Sequence, residues 1–249
     1  MKIVIIGTDD RYEHLAVLLQ TYGNVSYFQS WEDFSSSDDC SAPIDLLFLP
    51  IGKLVNQNEL AIPSTVKHVW SGSRQPLHRT TNTLLFHYTE DEDWLWSNAE
   101  LTADSFLKWL IPTLEKRIAS YSFDIAGYGR VGKRVARKLY LLGADVSIRT
   151  RSKSQQAEAR LHQFDAKNLD APFKNSICIN TIPAPWLSSQ QAENLTLILD
   201  LASAPGCLMQ DAQANYYPLL SLPGKIYPED AAFEFLRLLI RKGILRGNA

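Results

Sequence analysis

Three glycines, at Gly127, Gly129 and Gly132, have the spacing G-x-G-x-x-G in the stretch GYGRVG. An apolar strand pattern precedes them and an amphipathic helix pattern follows, which is the setting in which this motif binds a dinucleotide. The first glycine permits a tight turn, the second lets the backbone approach a pyrophosphate, and the third lets the helix pack close to the strand. The phosphates would then lie on free N–H groups at the helix N-terminus. This turn is therefore predicted to bind the cofactor, with Gly127, Tyr128, Gly129, Arg130, Val131 and Gly132 as the cofactor-binding residues; an ordinary glycine-rich turn is the alternative.

A basic segment follows the next predicted strand. Where an NAD-binding protein carries an acid, this chain has Thr150, followed by Arg151, Ser152 and Lys153. A carboxylate there would accept hydrogen bonds from the ribose and repel a 2′-phosphate, whereas a guanidinium pairs with a phosphate. We therefore predict that this segment selects NADP over NAD. The alternative is a set of exposed basic residues on a solvated turn.

Two further turns come directly after predicted strands, in INTIPAPW (179–186) and LDLASAPG (199–206). Ligands of a Rossmann sheet bind beyond the carboxyl ends of its strands. The small residues of the second turn would let a nicotinamide ring approach. Short structural loops are the alternative at both places.

The composition limits the class of protein. Hydrophobic residues make up 45% of the 249 residues and the formal net charge is −2, which indicates a globular protein and gives no reason to expect nucleic acid or a membrane as partner. No segment approaches the roughly eighteen apolar residues of a membrane span. The three cysteines, Cys40, Cys178 and Cys207, are widely spaced without C-x-x-C. This favours a reduced cytoplasmic protein without a metal site.

Short β-branched runs alternate with helical patterns along the chain, which predicts an α/β fold with parallel sheets. We expect two doubly wound parallel-sheet domains: a flavodoxin-like N-terminal substrate-side domain at 1–100, a connecting helix at 101–120, a Rossmann NADP-binding domain at 121–228 and a C-terminal helix at 229–249 that returns to the first domain. The connecting helix is predicted to be broken or kinked near Pro112. The acidic segment TEDED (89–93) is predicted to be a solvated loop.

Several stretches together resemble the dipicolinate synthase A-subunit family of spore-forming bacteria. They are ICINTIP, LILDLASAPG and LPGKIYPEDA after GYGRVG, with IGTDDR, FLPIG and WSG in the right order before it. The resemblance spans nearly the whole chain. It implies a two-domain, nicotinamide-dependent dehydrogenase that oxidises dihydrodipicolinate, a small carboxylate, to dipicolinate and is associated with a flavoprotein-like second subunit. We also expect a homo-oligomer.

The resemblance implies further site residues. Cofactor contacts beyond those above fall on Thr181, Ile182, Pro183, Leu201, Ala202 and Ser203. Substrate contacts are implied for Arg11, Ser71, Gly72, Asn98 and Thr102, with Lys225 as an additional cation.

The chain also departs from the family pattern. The family's SRPGG reads SAPGC here, so that an arginine is replaced by Ala204 and a glycine by Cys207. A Pro-Lys pair is replaced by Pro228-Glu229, and an acid in the connector by the shorter Asp104. Because cations hold a dianionic substrate, the loss of two of them predicts slow turnover of dihydrodipicolinate.

Two alternatives to this dehydrogenase remain open: another NADP-linked dehydrogenase on the same scaffold, and a non-catalytic NADP-binding subunit or sensor. A 2-hydroxyacid dehydrogenase would carry an arginine after LDLA and a histidine late in the second domain. The arginine is absent, and all five histidines precede that region, at His14, His68, His78, His87 and His162. The sequence assigns no catalytic residue; His78 and Asp104 are the candidates for the proton acceptor.

Overall fold

The computed structural model describes residues 1–56, 58–209 and 215–246. It has two main parallel sheets flanked by helices. The chain divides into two compact units, one made of Met1–Asn98 and Pro223–Ala249 and the other of Ala99–Leu222. The predicted fold class, α/β with two doubly wound parallel sheets, is confirmed.

The strands of the described residues are β1 (Lys2–Ile6), β2 (Asn24–Phe28), β3 (Ile44–Ile51), β4 (Leu60–Ala61), β5 (Val66–Gly72), β6 (Leu77–His78), β7 (Leu84–His87), β8 (Ser122–Ala126), β9 (Asp145–Arg149), β10 (Asp165–Lys167), β11 (Ile177–Asn180), β12 (Leu197–Asp200) and β13 (Tyr216–Pro218). The α-helices are α1 (Asp10–Leu19), α2 (Trp31–Ser35), α3 (Glu92–Leu110), α4 (Arg130–Leu141), α5 (Lys153–Leu161), α6 (Ser189–Ala192), α7 (Leu222–Ile226) and α8 (Pro228–Arg241). Within the part of the chain that is described, no helix combines the length and the apolar character needed to cross a bilayer.

Each sheet has the strand order of a known doubly wound type. The sheet of the first unit runs β2-β1-β3-β5-β7 with all neighbours parallel, which is the 2-1-3-4-5 order of flavodoxin-like sheets. The sheet of the second unit runs β10-β9-β8-β11-β12-β13, also parallel, which is the Rossmann order 3-2-1-4-5-6. The strand order of the second sheet reverses between β8 and β11. Ligands of such sheets bind at this point, outside the carboxyl ends of the strands.

Strand β1 shows how the sheet of the first unit is buried on both faces. Ile3 and Ile5 belong to one apolar cluster and Val4 and Ile6 to another, because successive side chains of a strand point to opposite faces. All four side chains are fully buried, as expected for a parallel sheet covered by helices.

Helix α8 completes the core of the first unit. Its Phe235 stacks on Tyr12 of α1 at a ring-centroid distance of 6.0 Å and on Trp94 at 5.4 Å. It also makes edge contacts with Phe48 and Tyr88. These five aromatic rings are buried, so the C-terminal segment is part of the hydrophobic core of this unit.

The connecting helix differs from the prediction. Helix α3 begins at Glu92 and ends at Leu110, not at 101 and 120, and Pro112 lies in the 3₁₀ turn that follows. Proline lacks a backbone N–H and restricts the residue before it, which explains why the helix ends there rather than continuing with a kink. The helix runs unbroken through the boundary between the two units at Asn98 and Ala99. No change in composition marks that boundary.

The acidic segment 89–93 is likewise not a solvated loop. Asp91 accepts a hydrogen bond from the backbone N–H of Trp94 at 3.0 Å, so it satisfies one of the free N–H groups in the first turn of α3. Its carboxylate also pairs with Arg241 and Lys242 at the end of α8. The prediction was wrong because the cations that pair with this acid are about 150 positions away in the sequence.

The LPG stretch at 222–224 lies in the short helix α7. The first unit resumes at Pro223, within this helix and before the predicted boundary at 228. Helix α8 begins at Pro228, where proline is well tolerated because its missing N–H has no partner in the first turn of a helix.

Candidate functional site

The glycine turn of the second unit has the geometry that the spacing predicts. Gly127 follows β8 with φ +92°, a conformation that a side chain strains. A Cβ atom at Gly132 would lie 2.3 Å from the carbonyl oxygen of Gly127. The first glycine therefore forms the tight turn, and the third allows α4 to lie directly against it.

The N-terminus of α4 is open. Gly129 is its N-cap residue and no side chain caps it, and the first turn contains no acid. A Cβ atom at Gly129 would have no atom within 4 Å. The first N–H groups of a helix lack intrahelical partners and carry partial positive charge. A pyrophosphate therefore fits this turn in both space and charge.

The other turn residues are buried or half-buried. The Tyr128 side chain is buried, its hydroxyl lies 2.8 Å from Nδ1 of His162, and burial raises the pKa of this phenol to about 12. Val131 is half-buried, as is Arg130. Because Lys133 of α4 also pairs with Glu158 of α5 at 2.6 Å, two side-chain contacts hold α5 beside the glycine turn.

The basic segment after β9 presents its cations to solvent. Arg151 and Lys153 are exposed, and among the described residues neither forms a hydrogen bond or an ion pair. Ser152 caps α5 by accepting a hydrogen bond from the Gln155 backbone N–H. The Thr150 hydroxyl is buried, donating to Oε1 of Gln155 at 2.7 Å and accepting from the Ser152 backbone N–H. The segment therefore offers two unpaired cations on a hydrogen-bonded frame.

The neighbouring Arg149 is not one of these cations. Its guanidinium is buried, and its Nε lies 3.3 Å from Oδ1 of Asp124. Its guanidinium carbon lies 4.4 Å from the centre of the Phe173 ring. It also donates to the carbonyl groups of Ala171 and Pro172. This arginine links β8, β9 and the segment before β11, and it is not available to a phosphate.

Two polar residues that sequence reasoning did not single out shape the remaining loops. Asn180 ends β11; its Oδ1 accepts from the Ile182 N–H and from Nε1 of Trp186, and its Nδ2 donates to Oδ1 of Asp200 at 2.7 Å. Asp200 ends β12 and also accepts from the Ala202 N–H. A polar residue at the last position of a buried strand is the signal that could have identified both.

The predicted cofactor contacts on these loops differ in exposure. Thr181 donates its hydroxyl to the carbonyl oxygen of Ala126 at 2.9 Å and lies against Gly127. Ile182 and Leu201 are half-buried and Ala202 is buried, whereas Pro183 and Ser203 are exposed.

The two departures on the second loop have different surroundings. Ala204 is exposed. Cys207 is fully buried in an apolar cluster with Trp186 and Cys178, and burial raises the pKa of its thiol well above the ordinary value, as does the nearby Asp200. Cys207 is therefore a core residue and not a ligand contact.

The substrate residues implied for the first unit lie at the carboxyl edge of its sheet. Arg11 is buried, and its Nε and Nη2 donate to the two carboxylate oxygens of Asp9 at 2.8 and 2.9 Å. Ser71 is buried and accepts a hydrogen bond from the Ser73 backbone N–H. A Cβ atom at Gly72 would lie 2.1 Å from the Tyr88 hydroxyl. Arg11 is thus already paired, and Ser71 and Gly72 are packed inside this unit.

Lys225 and Glu229, the other two charged residues singled out in the first unit, lie near its surface or in a groove. Lys225 is exposed and, among the described residues, forms no ion pair or hydrogen bond. Glu229 lies in the first turn of α8, in a groove with His14, Val17 and Phe233. An acid at that position favours the helix because it lies near the positive end of the helix dipole.

Each of the two candidates for the proton acceptor lies near a charged side chain. Asp104 pairs with Lys138 at 2.8 Å, and the same lysine pairs with Glu100 at 2.5 Å. The His78 side chain is 78% exposed and lies 4.0 Å from Glu59. On α3, Thr102 is buried and Asn98 is half-buried.

No family model matches the chain. The A subunit of dipicolinate synthase from Bacillus subtilis (strain 168) is 32% identical over 155 residues, which cover 57% of this chain and 52% of that protein; the match therefore spans about half the length of that relative. Among solved structures, the dipicolinate synthase A subunit from Bacillus halodurans has a TM-score of 0.74 at 22% identity, with 97% of both chains covered. Transhydrogenase from Sinorhizobium meliloti has a TM-score of 0.60 at 15% identity, covering 100% of this chain and 95% of that one. Over the matched stretch the chain is therefore similar in sequence to the A subunit of dipicolinate synthase, and it shares the fold of that subunit.

Proposed function

We propose that the second unit binds NADP and that the protein is an NADP-dependent dehydrogenase of the dipicolinate synthase type. Its substrate would be dihydrodipicolinate or a related small carboxylate. The observation that carries the proposal is the open N-terminus of α4 behind a glycine turn, with an acid-free, basic segment at the end of the adjacent strand β9.

The preference for NADP over NAD rests on the residues after β9. No carboxylate stands at Thr150 to bind the ribose hydroxyls, and the exposed Arg151 and Lys153 lie in the segment that follows. A guanidinium forms charge-assisted, often bidentate hydrogen bonds with a phosphate. Neither cation has an ion-pair partner among the described residues. Binding of the 2′-phosphate would therefore break no existing ion pair of Arg151 or Lys153.

The reaction needs little acid–base catalysis from side chains. When bound, the nicotinamide supplies the hydride acceptor. Oxidation of a dihydropyridine removes a hydride, which the nicotinamide would accept, and a proton, which would be released to solvent, and it leaves an aromatic ring, which favours the reaction. The part of the chain in this reaction is to orient the reactants and to exclude water.

The ion pair between Arg11 and Asp9 in the first unit favours a second candidate, a non-catalytic NADP-binding subunit. Arg11 is the buried cation implied for the substrate, but Asp9 occupies two of its donors. Desolvation of a dicarboxylate without unpaired cations is costly. The exposed Lys225 is then the remaining cation among the substrate residues named for this unit.

Gly129→Asp tests the cofactor site without a steric clash inside the protein itself. The residue has φ −80° and open space at its Cβ position, and aspartate is a good N-cap residue, so we expect the thermal stability to be kept or raised. The carboxylate would repel the pyrophosphate, and NADPH binding measured by fluorescence titration should weaken by about tenfold or more. Gly129→Ser is the matched control, because serine caps the helix and adds a side chain without charge; it measures the steric effect of a side chain on the ligand, and the further loss in Gly129→Asp measures the effect of the charge. Equal affinities in wild type and Gly129→Asp would refute a phosphate site at this turn.

Turnover separates the two candidates. NADPH formation from NADP and freshly generated dihydrodipicolinate is followed by absorbance. Turnover supports the dehydrogenase; tight NADPH binding without turnover supports the non-catalytic candidate.

A further inference from the structure

A buried carboxylate lies at the carboxyl end of β12. The Asp200 side chain is fully buried and accepts four hydrogen bonds from groups on three different segments. Oδ1 accepts from Nδ2 of Asn180 at 2.7 Å and from the Ala202 N–H at 2.9 Å. Oδ2 accepts from the Cys207 N–H at 2.8 Å and from the Tyr216 hydroxyl at 2.9 Å.

These bonds join two loops to one group. Asn180 holds the loop after β11, because it bonds both the N–H and the carbonyl oxygen of Ile182 and the indole N–H of Trp186. Ala202 and Cys207 belong to the loop after β12. Asp200 therefore fixes the 181–186 loop through Asn180 and the 201–207 loop directly.

A buried charge with this many donors acts as a specific constraint. An ion removed from water is costly unless its lone pairs are satisfied, and the four donors satisfy them only when both loops adopt this arrangement. Removing one donor deprives the buried carboxylate of a charge-assisted hydrogen bond. Because the surroundings have a low dielectric constant, the three remaining hydrogen bonds do not fully compensate for the lost stabilisation.

The position of these loops in the sheet indicates which half of a bound dinucleotide they would contact. A Rossmann sheet binds a dinucleotide with one mononucleotide-binding half for each nucleotide. The glycine turn and the basic segment belong to the half made of β8, β9 and β10. The two loops held by Asp200 follow β11 and β12 of the other half, which would receive the nicotinamide nucleotide.

We propose that Asp200 is a positioning residue that, with Tyr216 and Asn180, sets the two loops against the nicotinamide half of the cofactor and leaves the adenosine half unaffected. The proposal rests on the proposed function. Asp200 itself is buried beneath the loops and acts through their backbone, not by contact with the ligand.

Tyr216→Phe tests this role with little change to the packing. It keeps the ring and removes the hydroxyl that donates to Asp200. Two ligands are titrated: NADPH and adenosine 2′,5′-bisphosphate, which lacks the nicotinamide nucleotide. We expect the affinity for NADPH to fall about three- to tenfold, the effect of one lost hydrogen bond, with the affinity for the bisphosphate unchanged. Tyr217→Phe is the matched control, because Tyr217 is the adjacent tyrosine and is 47% exposed.

Asp200→Asn is the second variant. It replaces one carboxylate oxygen, which accepts two hydrogen bonds, by an amide N–H₂ group, which can only donate. We therefore expect a larger loss of affinity for NADPH, with the affinity for the bisphosphate again unchanged. Equal weakening of both ligands, or no change for either, in Tyr216→Phe would overturn the proposal. Failure of the wild-type protein to bind either ligand would instead refute the proposed function, and this inference with it.

Discussion

Replacement of Arg151 by alanine tests whether the basic segment after β9 recognises the 2′-phosphate. The guanidinium is exposed and has no partner among the described residues, so its removal breaks no contact of the free protein. A charge-assisted hydrogen bond contributes roughly 1.5–3 kcal/mol. Solvent screening at an exposed site moves the value towards the lower end. We therefore expect the dissociation constant for NADP to rise about tenfold, equivalent to ~1.4 kcal/mol, and that for NAD to stay the same.

Calorimetric titration of both cofactors, at low and at high ionic strength, measures this effect. The loss for NADP is expected to shrink at high ionic strength, because salt screens exposed charges. Arg137→Ala is the control, since it removes an exposed positive charge from α4 of the same unit. Arg151→Lys retains the charge without the bidentate geometry and should lose less than Arg151→Ala. A parallel loss for NAD, or equal affinities of wild type and Arg151→Ala for NADP, would refute the reasoning.

Three further changes test the turn, the core and the acid response. Gly132→Ala places a methyl group 2.3 Å from the carbonyl oxygen of Gly127, so we expect a lower melting temperature and loss of NADPH binding. Phe235→Ala removes the ring at the centre of the aromatic cluster of the first unit, and urea denaturation should show a loss of about 3–5 kcal/mol. Burial alone raises the pKa of Asp91, but hydrogen bonds from Lys242 and a backbone N–H outweigh it and hold the pKa below its ordinary value. Its stabilisation is therefore present above the unfolded pKa of about 3.9 and lost as the pH falls further, so that Asp91→Asn is destabilising near pH 7 and much less so near pH 3 in urea denaturation.

The sequence predicted the architecture because its signals are local. Alternation of β-branched runs with helical patterns indicates parallel sheets whichever residues later pack together. The start of α3 was missed because the cap at Asp91 precedes the apolar pattern, and the acids around it resemble a solvated segment. The cations that pair with Asp91 lie at the other end of the chain, and no local pattern contains that information.

In the candidate site too, the residues with a local signal were predicted and those whose roles depend on distant partners were not. The glycines of the turn were identified because their spacing reflects backbone geometry within one short stretch. Arg149 and Arg151 are indistinguishable as sequence letters, and only the distant partner Asp124 shows that the first is structural. A polar residue at the end of a buried strand could have marked Asp200 as a candidate, but its role was not visible in the sequence, since its donors come from segments that meet only after the strands have paired.

The first unit is made of two stretches of chain, with the whole of the second unit between them, and this order affects synthesis. During translation the residues Ala99–Leu222 leave the ribosome before α8, so the second unit can complete its sheet while the first is unfinished. Phe48, Tyr88 and Trp94 then lack the ring of Phe235 that covers them in the folded protein. An exposed aromatic surface on a nascent chain favours aggregation. We therefore expect this aromatic surface to be exposed during the interval between synthesis of β7 and of α8.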